Sequence, residues 1–214
     1  TTKVFLDFLK VHVILICGKR GCVPGDHLIF TESGYKPIRE FSEDEKVLSF
    51  NLQANKFEWK KAKLIEYNIN ESLLKFSLED GREIITTEEH PLLVFHDNKF
   101  IWKEAINIKE GEKLVVITEI PEVKNDGESL GKKNAIYIDK NLAYRKIIKI
   151  ERVNGINKVY DLIVDDNHSF LCNGIISHNS GKSYSAGTIL EEFSFLPDNY
   201  RNKMSFVVID PVGI

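Results

Sequence analysis

Ser169-Phe-Leu-Cys-Asn-Gly-Ile-Ile-Ser177 consists of two short apolar stretches separated by an Asn-Gly pair. Asn-Gly favours the left-handed backbone of a tight hairpin turn, and the β-branched and aromatic residues beside it favour strands. The stretch therefore predicts two antiparallel strands, Ser169–Cys172 and Ile175–Ser177, and it indicates a β-rich fold around them.

Similar strand candidates recur through residues 22–178, separated by turn-forming clusters such as Glu79-Asp80-Gly81 and His96-Asp97-Asn98. Only Ile38–Phe41 and Lys103–Ile108 have the pattern of helical turns. Residues 118–140 are polar and rich in turn formers, which predicts a flexible loop. The other strands are predicted at Lys46–Asn51, Lys56–Tyr67, Leu73–Leu78, Glu83–Thr86, Leu92–Phe95, Lys113–Ile117, Ala143–Arg152 and Lys158–Val164.

The two ends of the chain have a different pattern. Val11–Cys17 and Met204–Asp210 are apolar runs rich in β-branched residues, typical of strands buried on both faces. Lys182–Phe193 fits an amphipathic helix, because its apolar residues recur three and four positions apart. The ends therefore predict a strand and a helix–strand of α/β type, in contrast to the middle.

Composition excludes several classes of protein. The chain has 214 residues, of which 43% are hydrophobic, enough for one or two domains. Its 29 basic and 32 acidic residues give a net charge of −3, which argues against a basic nucleic-acid clamp. No apolar run approaches the ~20 residues of a membrane span, and the start lacks a signal-peptide pattern. Three cysteines are too few for a secreted disulfide scaffold, so we expect a cytoplasmic globular protein.

Two half-motifs flank the β-rich middle. Gly18-Lys-Arg-Gly21 and Ser180-Gly-Lys-Ser183, joined directly, read GKRGSGKS and match G-x-x-x-x-G-K-[ST], the phosphate-binding loop (P-loop) of nucleotide hydrolases. Such a loop cradles phosphate with backbone N–H groups and a helix N-terminus. The joined loop is therefore expected to bind ATP and Mg²⁺, whereas the interrupted one is not. Its predicted nucleotide-binding residues are Gly18, Gly21, Gly181, Lys182 and Ser183.

The residues at the two interruptions are chemically able to cut and rejoin a backbone. Cys22 stands at the first junction, and His178-Asn179-Ser180 stands at the second. A thiol nucleophile, an asparagine amide and a hydroxyl suffice for that chemistry.

The block from Cys22 to Asn179 resembles an intein, a protein-splicing element of the Hedgehog/intein (Hint) fold. Since residues 118–140 stand where large inteins carry a homing endonuclease, the resemblance is to a mini-intein. It implies a horseshoe-like, all-β domain over 22–179 whose ends meet, with 1–21 and 180–214 as host fragments. Four stretches in order carry the resemblance: Cys22-Val-Pro-Gly-Asp26, Thr87-Glu-Glu-His90, Val159–Val164 with His168–Gly174, and Ile175–Ser180.

The resemblance also implies roles at the first junction. The Cys22 thiol would attack the Gly21 carbonyl and convert the amide into a thioester. His90 would hydrogen-bond the scissile amide nitrogen and protonate it as it leaves, and Thr87 would help to hold that geometry.

At the second junction the resemblance implies three further steps. Ser180 would attack the thioester, assisted by Asp161, and Asn179 would then cyclise to a succinimide. His178 and His168 would polarise the Asn179 carbonyl and move its proton, and the resulting ester would rearrange to a peptide. Neither a metal nor a nucleotide is required, and the chain is expected to act on itself as a monomer.

The remaining candidates are read as structural. Cys17 and Cys172 are expected to be small buried hydrophobes, although a Cys17–Cys22 disulfide that blocks the first step until reduced is an alternative. His12, His27, His96, Trp59 and Trp102 match no motif.

Two other functions remain open. A Hint domain could cleave without ligation, or a P-loop ATPase could carry a passive β insertion that binds a partner. Val207–Gly213 weakly resembles the D-P-x-G strand end of HerA/FtsK-like ATPases, which would give the host DNA as a partner. For the intein-like block we expect neither a nucleic-acid nor a membrane partner. The Ile- and Lys-rich composition hints at a thermophile.

Overall fold

The computed structural model describes residues 21–120, 141–179, 195 and 197–201. The chain divides into two compact units, one spanning 19–181 and the other combining 1–18 with 182–214. In the second unit the described residues include one short helix, α1 (Asp198–Arg201). The α/β ends predicted at Val11–Cys17, Lys182–Phe193 and Met204–Asp210, and residues 121–140 of the predicted loop, lie outside the described residues.

The unit 19–181 is built from antiparallel strands joined by tight turns, with two short 3₁₀ turns at Ile38–Glu40 and Ala105–Asn107. The strands of its described part are β1 (Val23–Pro24), β2 (Leu28–Thr31), β3 (Gly34–Pro37), β4 (Lys46–Asn51), β5 (Lys56–Asn68), β6 (Leu73–Leu78), β7 (Glu83–Thr86), β8 (Pro91–His96), β9 (Lys99–Glu104), β10 (Lys113–Ile117), β11 (Leu142–Val153), β12 (Lys158–Val164), β13 (Ser169–Cys172) and β14 (Ile175–His178).

These strands form one hydrogen-bonded path in the order β1-β12-β5-β4-β2-β13-β14-β8-β10-β11-β6-β7. Beside this path β3 pairs with β2, β9 pairs with β8, and β14 also contacts β10. The two ends of the path come together, because the residue after β7, Thr87, donates its backbone N–H to the oxygen of Cys22, the residue before β1 (2.9 Å). The first junction therefore lies where the two ends of the sheet, β1 and β7, meet.

The hairpin predicted around Asn173-Gly174 is confirmed. Both turn residues have positive φ, 50° and 74°, as a tight two-residue hairpin requires. Ser169 pairs with His178, and Cys172 pairs with Ile175. Since Asn and Gly tolerate this backbone at little cost, the turn fixes the register of β13 against β14.

The central strands are buried on both faces, and alternate residues pack into different core clusters. In β8, Leu92 and Val94 join one cluster, whereas Leu93 joins the other. In β13, Phe170 and Cys172 face the first cluster, and Leu171 faces the second. The alternation follows from strand geometry, in which successive side chains point to opposite faces of the sheet. The prediction that Cys172 is a buried hydrophobe is confirmed, and burial raises the pKa of its thiol.

The strands predicted within the described residues are confirmed, with end shifts of at most one residue, but β1, β2, β3 and β9 were not predicted. The helical turn predicted over Lys103–Ile108 is partly wrong, since β9 continues to Glu104 and the 3₁₀ turn covers Ala105–Asn107 only. The reason is the turn at Asp97-Asn98, whose positive φ angles of 48° and 59° fold β9 back onto β8. Pairing with β8 outweighs local helical preference there.

Candidate processing site

The first junction is held by two hydrogen bonds between Cys22 and Thr87. The Cys22 N–H donates to Thr87 Oγ1 (2.9 Å), and the Thr87 N–H donates to the Cys22 oxygen (2.9 Å). Both residues are 1% exposed. The Cys22 nitrogen belongs to the bond predicted to break. In this structure its N–H donates to the Thr87 hydroxyl, and no hydrogen bond joins it to His90, so the role of His90 at this nitrogen stays a prediction.

The His90 ring packs against the other side of the first junction. A Cβ added to Gly21 would lie 2.7 Å from His90 Cα and 3.1 Å from His90 Nδ1, so only glycine fits here without movement. Among the described residues, neither ring nitrogen of His90 has a partner at hydrogen-bonding geometry. Burial lowers the pKa of His90 to about 3, and the nearby Gly21 backbone opposes this only in part. The imidazole is therefore neutral at neutral pH.

Asp161 lies on β12, beside the start of β1. Val23 pairs with Tyr160, and Pro24 pairs with Val159, so the same antiparallel register places Cys22 opposite Asp161. Asp161 is 3% exposed, and its Oδ1 accepts the Leu162 N–H at 2.9 Å. The register thus brings a carboxyl group to the predicted nucleophile.

The second junction is organised by the two histidines that flank it in the sheet. His178 Nδ1 donates to the Asn179 carbonyl oxygen at 2.6 Å, and the Asn179 N–H donates to the His168 oxygen at 2.8 Å. Burial lowers the pKa of His178, and the neighbouring His168, with ring centroids 6.0 Å apart, acts in the same direction. The donor therefore lies on the carbonyl where an attacking nucleophile would develop negative charge.

His90 links the two junctions. Ser177 pairs with Leu92, and continuation of that antiparallel register places Asn179 opposite His90. Since a Cβ added to Gly21 would meet His90, this residue lies next to Gly21 and, in the sheet, opposite Asn179.

A charged clamp fixes the loop that carries His168. Asp166 and His168 both have positive φ, 59° and 54°, a backbone conformation that is uncommon for residues other than glycine. Glu58 accepts from Asn167 Nδ2 at 2.8 Å, and Lys60 pairs with Asp166 at 2.8 Å. Burial alone would raise the pKa of Glu58, but hydrogen bonds from its neighbours, chiefly Lys56, lower it to about 2. The loop is thus held against β5 at Asp166 and Asn167, immediately before His168.

Trp102 contributes to the second junction, although sequence reasoning treated it as an ordinary aromatic residue. Its ring meets that of His178 edge-on, with centroids 4.7 Å apart. Trp102 lies on β9, and β9 was itself missed, so no signal in the sequence connected this ring with His178.

The comparisons with known proteins agree with this geometry. A family model described as the intein splicing domain matches residues 28–179. The chain belongs to the intein splicing domain family. The described part of the intein, with its antiparallel sheet and its two junctions, is accordingly a self-processing element, a class whose activity is protein splicing or self-cleavage.

Curated relatives match the intein over part of their length. The DNA polymerase II large subunit of Pyrococcus abyssi is 31% identical over 135 residues, which cover 52% of this chain and 9% of that protein. DNA topoisomerase 1 of Pyrococcus furiosus is 33% identical over 98 residues, covering 45% of this chain and 9% of that protein. The matched stretch is thus about a tenth of each relative.

Solved structures of inteins share the fold. The solution NMR structure of the Pab PolII intein is 26% identical, with a TM-score of 0.59, and the match covers 73% of this chain and 100% of that one. A crystal structure of an intein from a hyperthermophile is 22% identical, with a TM-score of 0.59 over 74% and 99% of the two chains. The expected Hint-type β fold is therefore confirmed.

Several predicted residues of the intein and its flanks lie outside the described residues. They are Cys17, Gly18, Ser180, Gly181, Lys182 and Ser183. Within the described ranges, no group of three or more His, Cys, Asp or Glu side chains is placed to hold a metal ion. No helix in that same part of the chain is long and apolar enough to cross a membrane.

Proposed function

We propose that residues 22–179 excise themselves and that Gly21 is joined to Ser180. The observation that carries this proposal is that each junction already holds a group suited to its own step. Thr87 Oγ1 accepts from the Cys22 N–H at the first junction, and His178 donates to the Asn179 carbonyl oxygen at the second. The two junctions thus carry groups suited to two successive acyl transfers.

In the first step the Cys22 sulfur attacks the Gly21 carbonyl carbon, and the bond to the Cys22 nitrogen breaks. A neutral His90 takes the thiol proton and then passes it to the departing amine. Burial lowers the pKa of His90 to about 3, so the ring is a weak base towards the thiol but, once protonated, gives its proton readily to the departing amine. Thr87 keeps the nitrogen in place while its geometry changes from amide to amine.

In the second step the Ser180 hydroxyl attacks the Gly21 thioester carbonyl, and the Cys22 sulfur leaves. The hydroxyl proton is transferred to that sulfur, so the charge balances. Asp161, opposite Cys22 in the register of β1 and β12, is suited to guide this proton.

In the third step the Asn179 side-chain nitrogen attacks the carbonyl carbon of its own residue, and the bond to the Ser180 nitrogen breaks. A succinimide forms, the proton lost by the Asn179 amide nitrogen passes to the Ser180 nitrogen, and Ser180 is released with a free amine. The His178 Nδ1–H, at 2.6 Å from the carbonyl oxygen, stabilises the developing oxyanion. The released amine then attacks the Gly21 ester, which gives the new peptide bond.

Ligation would also create the P-loop GKRGSGKS from residues 18–21 and 180–183. We propose that the host is an ATPase that binds ATP and Mg²⁺ through Gly18, Gly21, Gly181, Lys182 and Ser183 only after splicing. The weak HerA/FtsK-like resemblance of Val207–Gly213 makes DNA its proposed partner.

The test is an intact-mass time course of the purified chain, at moderate and high temperature, with and without reductant. Splicing predicts that the 24.6 kDa species gives way to the 22–179 fragment and a ligated product containing GKRGSGKS. Excised but unligated pieces would instead establish cleavage alone. A precursor that persists under every condition, like a Cys22→Ala/Asn179→Ala control, would contradict self-processing. A reductant requirement that Cys17→Ser removes would support the Cys17–Cys22 disulfide.

A further inference from the structure

The outer edge of β7 is bound by residues from separate parts of the chain. β6 covers one edge of β7, and in the described part of the protein no strand pairs with the other. The Glu83 oxygen there accepts from Asn173 Nδ2 at 2.9 Å. The Ile85 N–H donates to His27 Nε2 at 2.8 Å.

The series continues into the site, where the Thr87 N–H donates to the Cys22 oxygen at 2.9 Å. Residues 83, 85 and 87 are two apart, as the strand period requires for groups on one edge. His27 therefore occupies the position immediately before the junction contact, on the same edge and in the same register.

The imidazole of His27 is fixed for this contact. The residue is 6% exposed. Its main-chain N–H donates to the Pro24 carbonyl oxygen at 3.2 Å, and its main-chain carbonyl oxygen accepts the Ile38 N–H at 2.8 Å. Since Nε2 accepts a hydrogen bond, the ring proton lies on Nδ1, which is 3.4 Å from Asp26 Oδ1. Burial lowers the pKa of His27, which keeps the accepting tautomer neutral.

We infer that His27 is a positioning residue for the first step, which pins β7 so that the Thr87 hydroxyl meets the Cys22 amide. The inference rests on the proposed function, in which that amide is the bond that breaks. His27 is not placed to relay the proton itself, because its Nε2 is occupied by the Ile85 N–H. Its effect must therefore pass through the main chain of β7 to Thr87.

The test compares two substitutions of His27 that differ in one property. His27→Gln retains a side-chain acceptor at a similar reach, whereas His27→Leu leaves the buried Ile85 N–H without one. The same Leu substitution at His96, whose side chain is 58% exposed, is the matched control. The first step is measured as cleavage at Gly21 induced by an added thiol. Cyclisation of Asn179 is measured separately in a Cys22→Ala background.

We expect His27→Leu to slow thiol-induced cleavage about tenfold, a single buried hydrogen bond being of that order. Asn179 cyclisation should stay within about twofold of its rate without the His27 change, and His27→Gln should recover most of the loss. Equal slowing of both junctions would overturn the inference in favour of general destabilisation, and so would unchanged cleavage in His27→Leu. If the unsubstituted chain fails to cleave at Gly21 at all, the proposed function itself fails.

A spectroscopic measurement tests the contact independently of activity. In ¹⁵N-labelled protein, a scalar coupling across the hydrogen bond should connect the Ile85 amide nitrogen with His27 Nε2. We expect that coupling in the unsubstituted chain and its loss in His27→Leu, with the remaining amide spectrum largely retained. Absence of the coupling in the unsubstituted chain would overturn the inference.

Discussion

The two junctions of this intein are built in different ways. At the first, Cys22 and Thr87 are almost wholly buried and joined by two hydrogen bonds, one to the Thr87 hydroxyl and one between main chains, while the neighbouring imidazole of His90 has no hydrogen-bond partner among the described residues. At the second, the half-buried His178 already donates to the carbonyl that is to be attacked. At the first junction the reacting amide is hydrogen-bonded and the His90 ring is not. At the second junction the His178 donor is already hydrogen-bonded to the carbonyl that reacts.

This difference indicates what limits each step. Thioester formation requires a proton to be taken up and released again, so an unengaged base is useful there. Asn179 cyclisation develops charge on one oxygen, and a preset donor stabilises that charge without rearrangement. Substitutions at the two junctions should therefore fail in different steps.

The largest effect is expected from His90→Gln. Glutamine keeps polar atoms near Gly21 but cannot carry a proton between thiol and amine, so thiol-induced cleavage should fall about 10³-fold. Asn179 cyclisation, followed by mass in the Cys22→Ala background, should lose much less. An equal loss in both assays would show that His90 serves the two junctions alike, and the contrast between them would break down.

His178→Leu should produce the converse result. Removal of one donor from a developing oxyanion costs about 10²-fold, so release of the segment after Asn179 should slow by that factor. Thiol-induced cleavage at Gly21 should remain near its original rate. The two rates can be read from one gel series with the matched Cys22→Ala control. Slowed thiol-induced cleavage at Gly21 in His178→Leu would show that the two junctions depend on the same groups, which would contradict the contrast.

The pH dependence of unfolding should sharpen the contrast. The pKa of His90 is about 3 in the folded chain against 6.5 for the free side chain, so below pH 6.5 the unfolded chain binds a proton that the folded chain does not. The stability contribution is complete above pH 6.5 and is lost as the pH falls. Between pH 7 and pH 5 the loss is about 2 kcal/mol.

Denaturant unfolding of the unsubstituted chain and of His90→Gln at these two pH values measures that contribution. His90→Gln should reduce the difference, and the same change at half-buried His178 should reduce it less. His96→Gln, at a solvent-exposed position, is the control. A pH dependence that His90→Gln leaves intact would contradict a neutral, buried His90.

The smallest effect is expected at Trp102. Its ring meets His178 with centroids 4.7 Å apart, so Trp102→Leu should loosen the donor and slow Asn179 cyclisation about threefold, of the order of one aromatic contact. Trp59→Leu removes a comparable half-buried ring that stacks on Phe30 instead, and it should leave cyclisation unchanged. Equal slowing by both would assign the effect to the core rather than to His178.

Much of the fold could be predicted because its signals are local. Asn173-Gly174 encodes the hairpin that ends at the second junction, and the apolar runs of β4, β6 and β10 were placed to the residue. β3 was missed because Gly34 and Pro37 weaken its pattern, and β9 was missed because its identity depends on pairing with β8. Local preference does not contain that information.

The site divides in the same way. The order of the motifs located Cys22, His90 and Asn179, but not which group binds the scissile nitrogen. That choice between Thr87 and His90 depends on where β7 ends relative to β1, over 65 residues of separation. His27 left no signal at all, because its partner is a main-chain N–H that every residue except proline possesses.

The buried polar atoms that lack partners in the described part of the chain have a consequence for selection. Those of Thr86, His90, Ser177 and Asn179 lie around the junctions, and each such atom costs free energy in the folded state. The fold is thus locally frustrated where it reacts. Stability alone would favour apolar side chains at these buried positions, so polar ones there fit a fold that serves a reaction each molecule performs once.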